Sequence, residues 1–220
     1  MLRHVMLAAM GLFAAVGVAV GQPAATAPSA GARAATMPAG SAVKAAVEYG
    51  RAVAAGDVAR VRRLVAGNDA QKQSIEAMAS MMGGMKQLAD AANAKFGDNA
   101  KDLGALASSP DDMTKLWEAA EEKVEGDTAT LTARGVREPL RMKLVEGRWL
   151  VDLNAGPEQQ RADFIKGAPH FKVMGDIARQ VAGDLGQGRY KSVEEVRTAL
   201  EQRMTATIAG ASSTRPTTRP

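Results

Sequence analysis

The strongest constraint in this chain is a change of hydrophobic period. Up to Trp117 the apolar residues recur at helical spacing, about every 3.6 residues, and after Thr128 they recur every second residue. Residues 128–134 (TATLTAR) set Ala129, Leu131 and Ala133 against Thr128, Thr130 and Thr132. Residues 140–145 (LRMKLV) set Leu140, Met142 and Leu144 against Arg141 and Lys143. Residues 148–153 (RWLVDL) set Trp149, Val151 and Leu153 against Arg148, Leu150 and Asp152. Glu125-Gly126, Gly135 and Glu146-Gly147 punctuate the runs, which predicts an antiparallel meander of three or four strands. Residues 117–124 (WEAAEEKV) read equally as more helix or as a first strand. Such a sheet has one apolar face that must be covered, and the preceding helices are the available cover.

Those helices are readable from their punctuation. Ser41 caps a helix over 42–55, with Val43, Ala46, Val47, Gly50 and Val53 inward. Gly56 ends it and Asp57 caps a second helix over 58–66, with Val58, Val61, Leu64 and Val65 on one face. After Gly67-Asn68-Asp69, a third helix spans about 70–95. Its inward stripe is Ile75, Met78, Met81, Met82, Met85, Leu88 and Ala92, and Gly83-Gly84 predicts a kink or a close helix contact. Residues 97–108 read as a loop, and Ser109-Pro110-Asp111-Asp112 starts a short helix over 110–115. Beyond the meander, Pro157 opens a helical stretch to 186 with a break expected near Gly167-Ala168-Pro169. Ser192-Val193-Glu194-Glu195 then matches a capping box for a last helix over 193–206.

The ends have a different character. Arg3 and His4 precede an uncharged apolar run, Val5 to Val20, and small residues stand before Gln22. That is the pattern of a secretory signal over 1–21 with Gln22 as the new terminus, and the rival reading is an uncleaved anchor. Residues 22–40 read as a linker rich in Ala, Pro and Gly, and 211–220 as a disordered tail. The ends also carry the charge surplus. All 24 acidic residues lie within 41–210, and the four basic residues outside it are Arg3, Arg33, Arg215 and Arg219. The 220-residue chain has a formal charge of +4, so the part between the ends is neutral overall. A nucleic-acid protein would concentrate basic residues in its folded part, so nucleic acid is not an expected partner. The one short basic cluster, Arg60, Arg62 and Arg63, reads as a solvated helix side.

The order of helices, then a meander closing in a Gly-x-Trp hairpin, carries a resemblance. Val124-Glu125-Gly126-Asp127-Thr128-Ala129-Thr130-Leu131, followed by Leu144-Val145-Glu146-Gly147-Arg148-Trp149-Leu150-Val151, resembles exported bacterial members of the nuclear transport factor 2-like (cystatin-like cone) superfamily. Ala45-Ala46-Val47-Glu48-Tyr49 with Gly56-Asp57 is similar to their first two helices. The resemblance covers 41–154 and implies a curved sheet wrapped around a helix, with a pocket in the cone. Some members are small enzymes and many are not catalytic, so the fold alone assigns no function.

The residues add little chemistry. The resemblance implies an Asp–His pair or its equivalent in the pocket of catalytic members, whereas the one His beyond the signal, His170, stands beside Pro169 in the C-terminal part. Glu121 and Glu122 point apart in a strand, and Asp111 and Asp112 serve the helix start. The chain has no Cys, which excludes disulfides and thiolate metal sites. Met78, Met81, Met82 and Met85 fall at i, i+3, i+4 and i+7. Soft thioethers suit copper(I), but the same stripe is what a core helix needs, and a buried, metal-free seam is the expectation. Arg141 and Lys143, with Arg134 or Arg148 nearby, could hold an anion if their face lined the pocket, and alternation alone explains them as a solvated sheet face. Trp149 is expected to anchor the sheet core.

The sequence thus predicts an α+β, cone-like domain over 41–154, its N-terminal helices packed on the meander, followed by a C-terminal helical element over 155–210. Its expected role is an exported, non-enzymatic binding or interaction module of the bacterial envelope, periplasmic or extracellular. Its partner would be a small molecule or an envelope protein, with no membrane span left after signal cleavage. A small cone-type enzyme and a Met-rich copper-handling protein are the rivals. No catalytic residue, metal ligand or cofactor is assigned.

Overall fold

A computed structural model describes residues 40–104 and 110–213, without the side chains of 104, 110 and 208–213. The expected signal, the linker up to residue 39 and the tail from 214 onward lie outside the described residues.

The chain is α+β. Helix α1 (Ala42–Ala55) begins where Ser41 Oγ accepts from the Lys44 N–H at 3.3 Å and ends at Gly56, whose φ of +71° suits a residue without Cβ. Asp57 caps α2 (Val58–Arg63), a helix shorter than the expected 58–66. Val65–Ala66 instead form β1, because the Val151 N–H donates to the Leu64 carbonyl (2.9 Å) and the Leu153 N–H to that of Ala66 (2.8 Å). Those main-chain bonds replace the helical ones that would have continued α2. Asn68 and Gln71 form a reciprocal capping box at the start of α3 (Asp69–Phe96). The expected loop over 97–108 is overturned in its described part: Gly97–Ala100 is a 3-10 turn and Lys101–Gly104 is a short helix, α4. Ala100 and Leu103, three apart, bury themselves there. Helix α5 (Pro110–Glu118) outlasts its expected end at 115, and β2 (Glu121–Glu125) follows, so 117–124 is helix first and strand afterwards.

Strands β2, β3 (Thr128–Thr132), β4 (Leu140–Val145) and β5 (Arg148–Asp152) form the antiparallel meander. Its order is β1-β5-β4-β3-β2, and β1 adds a fifth strand parallel to β5, which the sequence reading did not contain. The β4–β5 turn has positive φ at both Glu146 (+51°) and Gly147 (+77°), the geometry that matches strand twist in a two-residue hairpin. Ala129, Leu131, Met142, Trp149 and Val151 turn to one face and are buried, as alternation predicts.

Helix α6 (Glu158–Gly186) runs unbroken through Gly167-Ala168-Pro169, contrary to the expected break. Pro169 is exposed, so the carbonyl four residues earlier that it leaves unpartnered can turn to water. Helix α7 (Val193–Ser213) continues past its expected end at 206 and into the expected tail at 211. No proline interrupts it before Pro216.

Two cores result. The first gathers α1, Val61, Val65, Ile75, Trp117 and the inner face of the sheet. The second joins Met85, Leu88 and Ala92 of α3 to Ile177, Val181 and Leu185 of α6 and to Val193, Val196 and Leu200 of α7. Helix α3 serves both, and Gly83-Gly84 lies where it passes from one to the other. A Cβ on Gly83 would meet the Gly56 Cα at 2.9 Å, and one on Gly84 would meet the Gly175 carbonyl oxygen at 2.5 Å. The glycine pair therefore makes two close backbone contacts, on opposite neighbours. The C-terminal helices mostly build the second core, and Phe164 of α6 packs against the first.

Candidate functional site

A half-open groove of about 520 Å³ lies against the first core, lined by the start of α1, the end of α2 and the start of β5. Helical periodicity supplies one wall: Ser41, Lys44, Ala45 and Glu48 fall at i, i+3, i+4 and i+7 of α1. Arg60, Arg63 and Leu64 form the second wall, and Arg148, Trp149 and Leu150 the third. Strand β1 reaches β5 only at Val151 and Asp152, so among the described residues no strand pairs with β5 on that side at the groove. The N–H groups of Val151 and Leu153 point toward β1. Strand alternation therefore aims the Trp149 N–H to that same side.

The charge of the groove is unbalanced. Lys44, Arg60, Arg63 and Arg148 face a single carboxylate, Glu48, a surplus of three positive charges. Glu48 is committed to Arg60, whose Nε and second guanidinium nitrogen both approach its Oε1 at 3.0 Å. Among the described residues, the side chains of Lys44, Arg63 and Arg148 form no ion pair or hydrogen bond. Ala45, Leu64, Leu150 and Trp149 supply apolar surface between the charges. Such a site can hold an oxyanion in the fork of an arginine while offering carbon to whatever the oxyanion is attached to.

The basic cluster read as one solvated helix side is therefore divided. Arg62 turns away to Asp69 and Glu76, and its hydrogen bond to Glu76 raises its pKa further. Arg60 and Arg63 enter the groove. Of the strand cations weighed for an anion, Arg148 joins them, but Arg141 and Lys143 do not: they share its sheet face but stand on β4, one strand in from the groove, where Arg141 bonds to Thr130 Oγ1 (3.2 Å). Lys44 had no sequence signal beyond its place on α1, because only the fold brings α1 and β5 together.

Other residues singled out in the sequence lie outside the groove. Glu122 Oε1 accepts from the Ala42 N–H at 2.8 Å, closing the first turn of α1 across 80 residues of sequence. His170 is exposed on α6, away from the groove. The Met stripe divides between the cores: Met81 and Met85 are buried, Met78 and Met82 half-buried, with Met85 in the second core and Met78 and Met82 against the first. No group of three or more Asp, Glu or His among the described residues is placed to hold a metal ion. No helix among them is long and apolar enough to cross a membrane.

Two side chains of the first core lack partners. The Tyr49 hydroxyl and the Trp117 indole N–H are buried and make no hydrogen bond, and burial raises the Tyr49 pKa well above that of a free phenol. Both stay neutral, and Gly50 makes room for the Trp117 ring, which a Cβ there would meet at 3.0 Å.

In comparison with known proteins, no family model, no curated protein and no solved structure matches the chain.

Proposed function

We propose that this protein is an exported, non-enzymatic binding module of the bacterial envelope, built on a nuclear transport factor 2-like cone, and that its groove receives an anionic ligand. The observation that carries the reading is the surplus of three positive charges in a groove that also presents Leu64 and Leu150. Isolated surface cations are ordinary, but cations gathered in a concavity raise the local concentration of anions. The volume suits a small molecule better than a folded partner. A sheet with one face covered by helices supports the cone reading, and the apolar run before Gln22 supports export.

The test is calorimetric titration with pyrophosphate and with octyl phosphate at low and at moderate salt. The reading expects at least one of them to bind, more weakly as salt rises, and to lose binding in Arg63→Glu/Arg148→Glu. Binding that ignores both salt and that substitution would contradict it. Export has its own check: the protein recovered from the envelope should begin near Gln22, and recovery with Met1 in place would refute cleavage.

A further inference from the structure

The groove combines two kinds of surface that a bare anion would not use together. Its charges belong to flexible side chains from three elements: Lys44 on α1, Arg60 and Arg63 on α2, and Arg148 on β5. Between them lie Ala45, Leu64, Trp149 and Leu150, of which Leu64 and Leu150 keep part of their surface in water. A phosphate or sulfate held by the arginines alone would leave those leucines wet.

Resting on the anion-binding reading above, we infer that the ligand is amphiphilic: a single oxyanion head, phosphate or carboxylate, joined to a short apolar body. Arg63 and Arg148 hold the head from two sides, with the Trp149 N–H directed to the edge of β5 that β1 leaves uncovered. The body lies on Leu64 and Leu150. Removing that apolar surface from water favours this seating. Glu48 limits the charge of the head. It ties up Arg60, and its own negative charge opposes a second oxyanion in the same groove. A polyanion is thus disfavoured against a singly headed amphiphile.

The experiment compares octyl phosphate, inorganic phosphate, pyrophosphate and octanol on the full chain, below the micellar concentration of octyl phosphate. The expected order places octyl phosphate at least about tenfold tighter than any of the others. Leu64→Ser/Leu150→Ser should bring octyl phosphate down to the level of inorganic phosphate. Arg63→Ala/Arg148→Ala should bring it to the level of octanol. Glu48→Gln should narrow the gap between octyl phosphate and pyrophosphate. The four arginine and leucine sites are exposed or half-buried, and a melting curve for each variant verifies its fold. Equal affinity for pyrophosphate and octyl phosphate would overturn the amphiphile and leave the anion site standing. Octanol binding as tightly as octyl phosphate would overturn it from the other side. No binding of any anion would overturn both readings together.

Discussion

The two cores share one helix but are built by different means. In the first, a two-residue period faces a 3.6-residue period, and the sheet ends in defined turns with open strand edges. The groove lies at one such edge, where β1 stops short of Arg148 and α1 and α2 close around it. In the second, helices pack on helices with few turns, and its polar interactions are structural. Asp184 is the clearest case. Arg203 and Arg189 converge on its carboxylate and the Tyr190 hydroxyl stands at 3.3 Å, tying α6, the turn after it and α7 together. At the groove Lys44, Arg63 and Arg148 have no carboxylate partner among the described residues, whereas Arg189 and Arg203 share that of Asp184. The difference separates a surface available to a ligand from one occupied in holding the fold.

The contrast can be broken most severely at Trp149. It is 5% exposed, packs in the first core and backs the groove. Trp149→Ala should cost ~3–5 kcal/mol, as large-to-small changes of buried aromatics do. Chemical denaturation measures it, and a loss below about 1 kcal/mol would place Trp149 outside the core. Next in size is Gly84→Ala, whose new Cβ would stand 2.5 Å from the Gly175 carbonyl oxygen. The contact is backbone against backbone, so α3 and α6 must separate, at ~1–3 kcal/mol or somewhat more. Hydrogen exchange should show both cores loosening. Loosening of the second core alone would mean that the glycine pair does not couple them.

Replacing Met78, Met81, Met82 and Met85 by Leu nearly conserves volume and should cost under ~1.5 kcal/mol per site in thermal melts. Tight one-to-one copper(I) binding that disappears in that variant would instead make metal handling the leading function. The last effect is one of pH. The hydrogen bond from Arg203, with the charges of Arg189 and Arg203, holds the Asp184 carboxyl below its usual range. Its stabilisation is therefore complete above the unfolded-state pKa, about 3.9, and is lost as the pH falls through the lower folded value. Amide exchange should show α7 losing protection on acidification, and Asp184→Asn should remove that acid dependence. An unchanged acid profile in Asp184→Asn would assign the effect elsewhere.

The sequence was most legible where a local rule was decisive. Ser41, Gly56 and Asp57 mark real helix ends, and alternation places Leu131, Met142 and Trp149 correctly. It was least legible where tertiary partners override local signals. Leu64 to Ala66 reads as helix, yet β5 captures its backbone. Gly167-Ala168-Pro169 reads as a break, yet the neighbouring turns continue α6. Ala100 and Leu103 are too few to signal a helix, and the second core explains their burial. The groove was legible only in fragments. Arg60 and Arg63 were one cluster and Arg148 belonged to another, separated by more than eighty residues of sequence. The pairing of β5 with β1, which follows directly after α2, brings them together.

The most direct test of this division of labour compares two equal charge changes in the two regions. Arg63→Glu/Arg148→Glu alters the groove, whereas Lys191→Glu/Arg197→Glu alters the exposed side of the second core by the same net charge. Octyl phosphate affinity is measured for both at one salt concentration. The groove pair should lose at least about tenfold, and the other should change within about twofold. Equal losses from the two pairs would mean that the protein attracts anions through its overall charge, and would contradict a groove built to receive one.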